Sequence, residues 1–266
     1  MEPMLNIAVR AAREAGKVIT YHLDRIDSLK VTSKARNDFV SDVDRKAEEV
    51  IIQTIRKAYP DHAVLAEESG SSGNNEYEWI IDPLDGTTNF LHGFPQFAVS
   101  IAMKHKNRLT QGVVYDPLSQ DLYTASRGSG AMLNDRRIRV TNAKGLEGSL
   151  LGTGFPFKQQ HHLDMYLDTF KALFPNTSGI RRAGSAALDL AYVASGRLDG
   201  FWELGLQPWD MAAGVLLIQE AGGIVGDFSG GNNFMERGNI VAGNPKVFKA
   251  ILSSIHPHLS EEFLRR

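Results

Sequence analysis

The chain has 266 residues, 42% apolar and 23% charged, with a net charge of −2 and a pI of about 6.5. That is ordinary globular composition, long enough for one large α/β domain or two packed halves, and it gives no support to a general nucleic-acid binder or a polybasic membrane anchor. The absence of cysteine excludes disulfides, zinc–thiolate sites and a cysteine nucleophile, and suits a reducing cytoplasm.

In MEPMLNIAVRAAREAGKVITYHL, residues Leu5, Ala8, Val9, Ala12 and Ile19 fall on or near one face, which predicts an amphipathic helix over 3–22. Arg10, Arg13, Glu14 and Lys17 interrupt the apolar positions, so the stretch does not read as a signal peptide. No apolar run is long enough to span a bilayer, and the expectation is a soluble cytoplasmic protein. Residues 28–41 are polar and mixed, and read as a mobile connection or a short hairpin. Val43, Ala47, Val50, Ile51 and Ala58 then repeat at helical spacing, predicting a second helix from Asp42 to Tyr59 with Pro60 beyond its end.

From residue 62 the texture changes. HAVLAEE, EWIIDPL, FAVSIAM, GVVYDP and DLYTAS are short, β-rich and bounded by Gly, Pro and Asp, which predicts a largely antiparallel sheet across 62–126. Further on, helical stretches near 161–174, 185–195, 209–221 and 245–255 alternate with the strand candidates GSLLGTG, DGFWEL, GIVGD and NIVAG, an α/β pattern. The expected organisation is an N-terminal α+β half, 1–144, and a C-terminal α/β half, 145–266, packed as one catalytic unit. The join, NAKGLEG, is soft.

The chemistry concentrates at the ends of elements. In WIIDPLDGTTNF an apolar strand is expected to stop at Asp82, because Pro83 removes a backbone donor and bars a central strand from continuing. Asp85-Gly86 signals a turn, and Thr87 and Thr88 can cap a new helix. Capping explains Gly86 and one threonine, but not Asp82 beside Asp85: paired carboxylates at a partly buried strand end repel and lose solvation unless a cation joins them. Glu67 and Glu68 end another apolar strand, Asp42 and Asp44 open the second helix, and Asp210 follows Pro208 and Trp209 at the start of an apolar helix. Singly, these are caps or solvated strand ends; together they predict a shared site. Oxygen-only donors select magnesium, manganese or calcium, with no His pair or cysteine spaced for zinc. An EF-hand starting at Asp82 fails at its sixth position, Thr87, and its twelfth, Gly93. Carboxylates from separate elements suit two or more magnesium ions for phosphoryl chemistry, about 4 Å apart, with the Gly86, Thr87 and Thr88 amides as an anion site.

The segments AEESG, WIIDPLDGTTNF and PWDMAAGVLLIQEAGG resemble the inositol monophosphatase family, in the family's order and separations over nearly the whole chain. MEPMLNIAVRAAREAG and RRAGSAALDLAYVASGRLDGFWE look like its bacterial SuhB-type branch. The resemblance implies a layered αβαβα sandwich, a homodimer, and lithium-sensitive, magnesium-dependent hydrolysis of phosphate monoesters such as myo-inositol 1-phosphate, with two or three Mg2+ ions per site. By motif position, Glu67, Asp82, the Leu84 carbonyl and Asp85 would hold one metal, and Asp82, Asp85 and Asp210 the second. Glu67 and Thr87 would orient and deprotonate the attacking water, with Asp44 supporting Thr87. The Gly86 and Thr87 amides would bind phosphate. Asp85, Gly184, Ser185, Ala186, Glu203 and Asp210 would face the substrate, with Arg181 nearby. The same branch implies a role in transcription antitermination with RNA polymerase and Nus factors, through protein contacts, since the charge gives no support for independent nucleic-acid binding. Two positions depart from the family pattern. Gln207 stands where members acting on inositol phosphates often carry histidine, and Lys34 corresponds only loosely to the early lysine. A broader sugar-phosphate phosphatase of the same fold is the alternative.

Other patterns carry less. A D-x-D-G-T phosphatase with an aspartyl nucleophile is disfavoured by the extra residue in DPLDGT. RGSGAML reads as a turn and GGIVGDFSGGNN as tight connections around a short strand, without the Lys-Ser/Thr of a P-loop. The histidines read as surface or capping residues, and Trp79, Trp202 and Trp209 as core or dimer packing.

Overall fold

The computed structural model describes residues 2–23, 25, 31–35, 38–157 and 159–264, with the backbone alone described for 31–35 and 38–40. In chain order the elements begin with α1 (Pro3–Leu23), β1 (Val31–Ala35), β2 (Asp38–Ser41), α2 (Asp42–Ala58), β3 (Ala63–Ala66), β4 (Gly70–Ser72), β5 (Tyr77–Asp85) and α3 (Thr87–Leu91). Next come β6 (Ala98–His105), β7 (Arg108–Asp116), β8 (Asp121–Ser126), β9 (Gly130–Leu133), β10 (Arg136–Arg137), β11 (Leu150–Thr153), α4 (Leu163–Leu173) and β12 (Gly179–Arg181). The chain closes through α5 (Ala186–Ser195), β13 (Gly200–Leu204), α6 (Pro208–Glu220), β14 (Ile224–Gly226), α7 (Phe234–Arg237), β15 (Asn239–Gly243), α8 (Pro245–Ile255) and α9 (Glu261–Leu264).

These elements stack as five layers, αβαβα. α1 and α2 cover one face of an eight-stranded sheet ordered β10-β9-β8-β7-β6-β5-β3-β4. α5 and α6 lie between that sheet and a five-stranded one ordered β12-β11-β13-β15-β14, and α4 and α8 cover the far side. Each interlayer space has its own apolar cluster, seen in Ala12, Ile51 and Ile81 under the outer helices, Leu190, Val215 and Phe201 in the middle, and Trp202, Val241 and Ile251 on the far side. The middle helices show why this order is forced. α6 buries Met211 through Ile218 without interruption, as a helix between two sheets must. It lies so close to β7 that a Cβ at Gly112 would stand 3.0 Å from the Ala213 carbonyl oxygen.

Most predicted elements lie within a residue or two of their expected ends, and residues 31–35 and 38–41 form the antiparallel pair β1–β2. Four expectations are corrected. The first sheet is largely antiparallel as expected, with β3 and β5 its parallel pair, but it extends past 126 through β9 and β10, so RGSGAML is a turn followed by a strand. β5 does not stop at Asp82. It runs on to Asp85, with a register shift against β6 between Asp82 and Asp85 that absorbs Pro83 in a bulge, where no ladder donor is required. The acids at helix starts are not themselves caps: Ser41 caps α2 with Asp44 at the third position, and Asp210 likewise sits third in α6. His62 is not a free surface side chain: half-buried, it joins a ring stack, 4.6 Å from Tyr59 and 4.9 Å from Tyr77 between centroids, and it accepts a hydrogen bond from Trp79 Nε1. Trp79 and Trp202 are fully buried.

Candidate active site

The bulge at the end of β5 assembles the site. Leu84 N–H donates to Asp82 Oδ1 at 3.0 Å, closing a local turn in which the two aspartates come round to one cavity. Asp210 arrives from across the interlayer space at the start of α6, where its Oδ2 accepts the Gln207 N–H at 2.7 Å. Carboxylate oxygens of Asp82, Asp85 and Asp210 lie within 4.8 Å of one another. Among the described residues this is the group of acidic, His or Cys side chains that converges as a metal site would require. Glu67, directly after β3, lines the same cavity of about 190 Å³.

Electrostatics mark this arrangement as unfinished without a cation. Burial, followed by the charges of Glu67, Asp85 and Asp210, pushes the Asp82 carboxyl well above the usual carboxylate range. Burial raises Asp85 to about 6, even though hydrogen bonds from Ser185 and Ala187 pull the other way. Glu203 and Asp189 are likewise raised by burial, with Arg182 opposing. Oxygen donors alone, clustered and reluctant to ionise together, fit a hard divalent cation such as magnesium.

Beside the acids stands a hydroxyl. Gly86 has φ of +92°, a conformation that favours glycine, and a Cβ there would meet the Gln96 carbonyl oxygen at 2.8 Å. The chain turns through it to put Thr87 first in α3. Thr87 Oγ1 lies 2.8 Å from Asp44 Oδ1 and 3.1 Å from the Leu84 carbonyl oxygen. Asp44 is fully buried, and its other oxygen accepts both the N–H and the hydroxyl of Ser41.

The far wall comes from the second half of the chain. Asp85 Oδ2 accepts Ser185 Oγ–H at 2.6 Å and Ala187 N–H at 2.8 Å, tying β5 to the start of α5. Asn89 Nδ2 donates to the Ala183 and Gly184 carbonyls, tying α3 to the same turn. Of the residues expected at the site, Glu67, Asp82, Leu84, Asp85, Gly86, Thr87, Gly184, Ser185, Ala186, Glu203 and Asp210 line the cavity, and Asp44 stands behind Thr87. Arg181 does not: it is exposed at the end of β12, where its guanidinium meets the Ile180 carbonyl. Arg182 takes its place on the rim, 5.3 Å from the Phe155 ring centroid and 5.0 Å from that of Phe157. The side chain of Lys34 lies outside the described residues, and exposed Gln207 meets the site through the backbone bond to Asp210.

Sequence reasoning placed Arg181 rather than its neighbour Arg182 near the substrate, and it missed Phe155, Phe157 and Asp189. Asp189 carried a signal, as the one charge in the apolar run AALDLAYVA. It is buried, and its Oδ1 has no hydrogen-bond partner in the protein. The two phenylalanines carried none.

Comparison with known proteins agrees with the layered fold. The profile of the inositol monophosphatase family matches residues 1–260. Among curated proteins, the Nus factor SuhB of Pseudomonas aeruginosa is 58% identical and that of Escherichia coli K12 is 54% identical, each over 100% of both chains. Among solved structures, the extragenic suppressor protein suhB of Bartonella henselae superposes with a TM-score of 0.93 at 45% identity, covering 96% of this chain and 98% of that one. The inositol monophosphatase of Anabaena superposes with a TM-score of 0.86 at 40% identity, covering 96% and 95%.

Proposed function

The chain belongs to the inositol monophosphatase family, and from that membership we propose that it hydrolyses inositol monophosphates, taking myo-inositol 1-phosphate and water to myo-inositol and phosphate. The observation that carries this reading is the convergence of Asp82, Asp85 and Asp210 within 4.8 Å beside the Thr87–Asp44 pair. Glu67, the Leu84 carbonyl and these three aspartates would hold two or three magnesium ions. Bound there, magnesium supplies positive charge that neutralises the phosphate oxygens and favours the deprotonated form of the attacking water.

The chain's own groups do the rest. Thr87 Oγ1–H donates a hydrogen bond to Asp44 Oδ1, which leaves the hydroxyl oxygen free to accept a hydrogen bond from water in the cavity. Glu67 is the carboxyl placed to take the water's second interaction and then its proton. The Gly86 and Thr87 amides, turned by the positive φ at Gly86, receive the phosphate. Gly184, Ser185, Ala186 and Glu203 form the wall against the ring hydroxyls, and Arg182 sets a positive edge at the mouth. Fixed groups of this kind act mainly by positioning and charge complementarity, which is what a phosphate monoester with its poor leaving group requires.

Substrate choice is tested by kcat/KM for myo-inositol 1-phosphate against a panel of sugar phosphates in magnesium. The reading expects the inositol ester to be preferred. A sugar phosphate preferred by about tenfold, roughly 1.4 kcal/mol, would make the chain a broader sugar-phosphate phosphatase.

A second role is favoured by 58% and 54% identity, over the full length, to proteins named Nus factor SuhB: we infer participation in transcription antitermination by contact with RNA polymerase and Nus factors. For that role we propose a cytoplasmic homodimer. A net charge of −2 argues for protein rather than RNA contacts. No described helix is long and apolar enough to cross a membrane. Retention of RNA polymerase and Nus factors on immobilised Asp85→Asn protein would separate this role from catalysis. Loss of both partners from wild-type protein would remove it.

A further inference from the structure

Helix α2 carries a second acid on the same face as Asp44. Glu48 lies one turn further along, at i+4, about 6 Å up the axis. It is 3% exposed, an unusual setting for glutamate. Its carboxyl group is used twice: Oε2 accepts the Glu68 N–H at 2.8 Å and Oε1 the Ser69 N–H at 2.9 Å. These amides belong to the turn Glu67–Ser69, which closes the β3–β4 hairpin between the paired residues Ala66 and Gly70. Amides in such a turn need only water as a partner. Burying an acid to hold both of them is a costly way to satisfy two N–H groups, and it earns its place only if the turn must stand in one position.

The residue that the turn presents is Glu67. Its own N–H donates to the Ile81 carbonyl at 3.1 Å, on the residue before Asp82. Glu67 is therefore held between β5 on one side and Glu48 on the other. Asp44, four residues earlier, holds Thr87 Oγ1. Both braces spring from one helix, packed through Val43, Ala47, Ile51 and Ile55 into the outer core. The two groups read above as handling the attacking water thus share a single rigid mount.

We propose that Glu48 is a positioning residue of the active site: through the Glu68 and Ser69 amides it holds Glu67 in register with Thr87, so that α2 sets the spacing of the pair. Glu48 itself does not line the cavity. This rests on the reading of Glu67 as a magnesium ligand. Partners one shell removed from a metal's ligands commonly affect metal affinity or activity by about 10- to 100-fold when altered.

The test compares wild type, Glu48→Gln, Glu48→Asp and Glu67→Gln by calorimetric titration with magnesium alone, by melting temperature in chelator, and by kcat and KM. The inference expects Glu48→Gln to need about tenfold more magnesium for half-saturation and to lose about tenfold in kcat, with KM within about twofold of wild type. Glu48→Asp, which keeps the acid but falls one methylene short, should show the same pattern more weakly, and it decides the matter if the glutamine variant does not fold. Magnesium half-saturation and kcat within about twofold of wild type in the folded Glu48 variants, whatever their melting temperatures, would make Glu48 a hairpin support only and overturn the inference. If Glu67→Gln itself binds magnesium as wild type does, the assignment of Glu67 falls and the inference falls with it. If Glu67→Gln loses magnesium while the Glu48 variants keep it, the inference fails alone.

Discussion

Removing one charge from the acidic cluster should stabilise the metal-free protein while abolishing its activity, and Asp85→Asn is the informative change. Burial lifts the Asp85 carboxyl from 3.8 to about 6. At 1.36 kcal/mol per unit, that shift makes ionised Asp85 a cost of about 3 kcal/mol to the metal-free fold above the folded value. A raised folded pKa means that the group favours folding fully only below its unfolded pKa. That contribution is lost as pH rises from near 4 through about 6. Asparagine stands in for the neutral carboxyl, and the shift already carries the bonds from Ser185 and Ala187. The gain of about 3 kcal/mol should raise the melting temperature by roughly 6–12 °C at about pH 8 in chelator. Near pH 4.5 the ionisation cost falls to about 1 kcal/mol, and the gap should shrink to about a third. Saturating magnesium should reverse the order at the higher pH, because it binds the folded wild type. A chelated wild type that melts at or above the variant at about pH 8 would refute the claim that the cluster is strained without its cation.

Three further predictions follow from single contacts. Thr87→Ala should lower kcat by about 10²- to 10⁴-fold while shifting magnesium half-saturation by less than about twofold, and equal losses in both would reduce Thr87 to a structural residue. Gly86→Ala should destabilise the protein by roughly 2 kcal/mol or more, since the alanine Cβ meets the Gln96 carbonyl at 2.8 Å in a left-handed backbone; a variant as stable as wild type by denaturation would show that the turn yields. Burial would raise the Asp227 carboxyl, but bonds from Ser229, Gly231 and Asn233 outweigh it and hold the group below the usual range. Asp227→Asn should therefore cost about 1–3 kcal/mol at neutral pH, in a gap that narrows as pH falls below about 4; a gap constant with pH would show that the charge is not the source.

What could be read from the sequence was whatever depends on neighbours along the chain. NIVAG is the observed β15 residue for residue, and the helix over 245–255 matches α8 end for end, because Gly, Asn and Pro bracket them. The acids stood out because each sits at the end or the start of an apolar element, and that pattern, with the family motifs, brought Asp82, Asp85 and Asp210 into one hypothesis. What was not legible depends on the third dimension. Proline ordinarily ends a central strand, and nothing local shows that a bulge will carry β5 past Pro83 and so aim both aspartates into one cavity. Arg181 and Arg182 are adjacent and alike, and which one reaches the rim depends on where β12 stops and on the platform of Phe155 and Phe157, some 25 residues away. In the sequence, Glu48 is one more polar position on an amphipathic helix. Only its burial against the Glu67 turn, 20 residues on, gives it a use.

The most direct test of the central claim is phosphate release from myo-inositol 1-phosphate by the purified protein, titrated with magnesium and repeated in chelator, beside Asp82→Asn. The account predicts release that rises with magnesium to saturation, stops in chelator and is absent from the variant, because Asp82 is the most deeply buried member of the cluster. Release that persists in chelator, or that survives in Asp82→Asn, would contradict the assignment of these carboxylates as the metal-holding centre of the reaction.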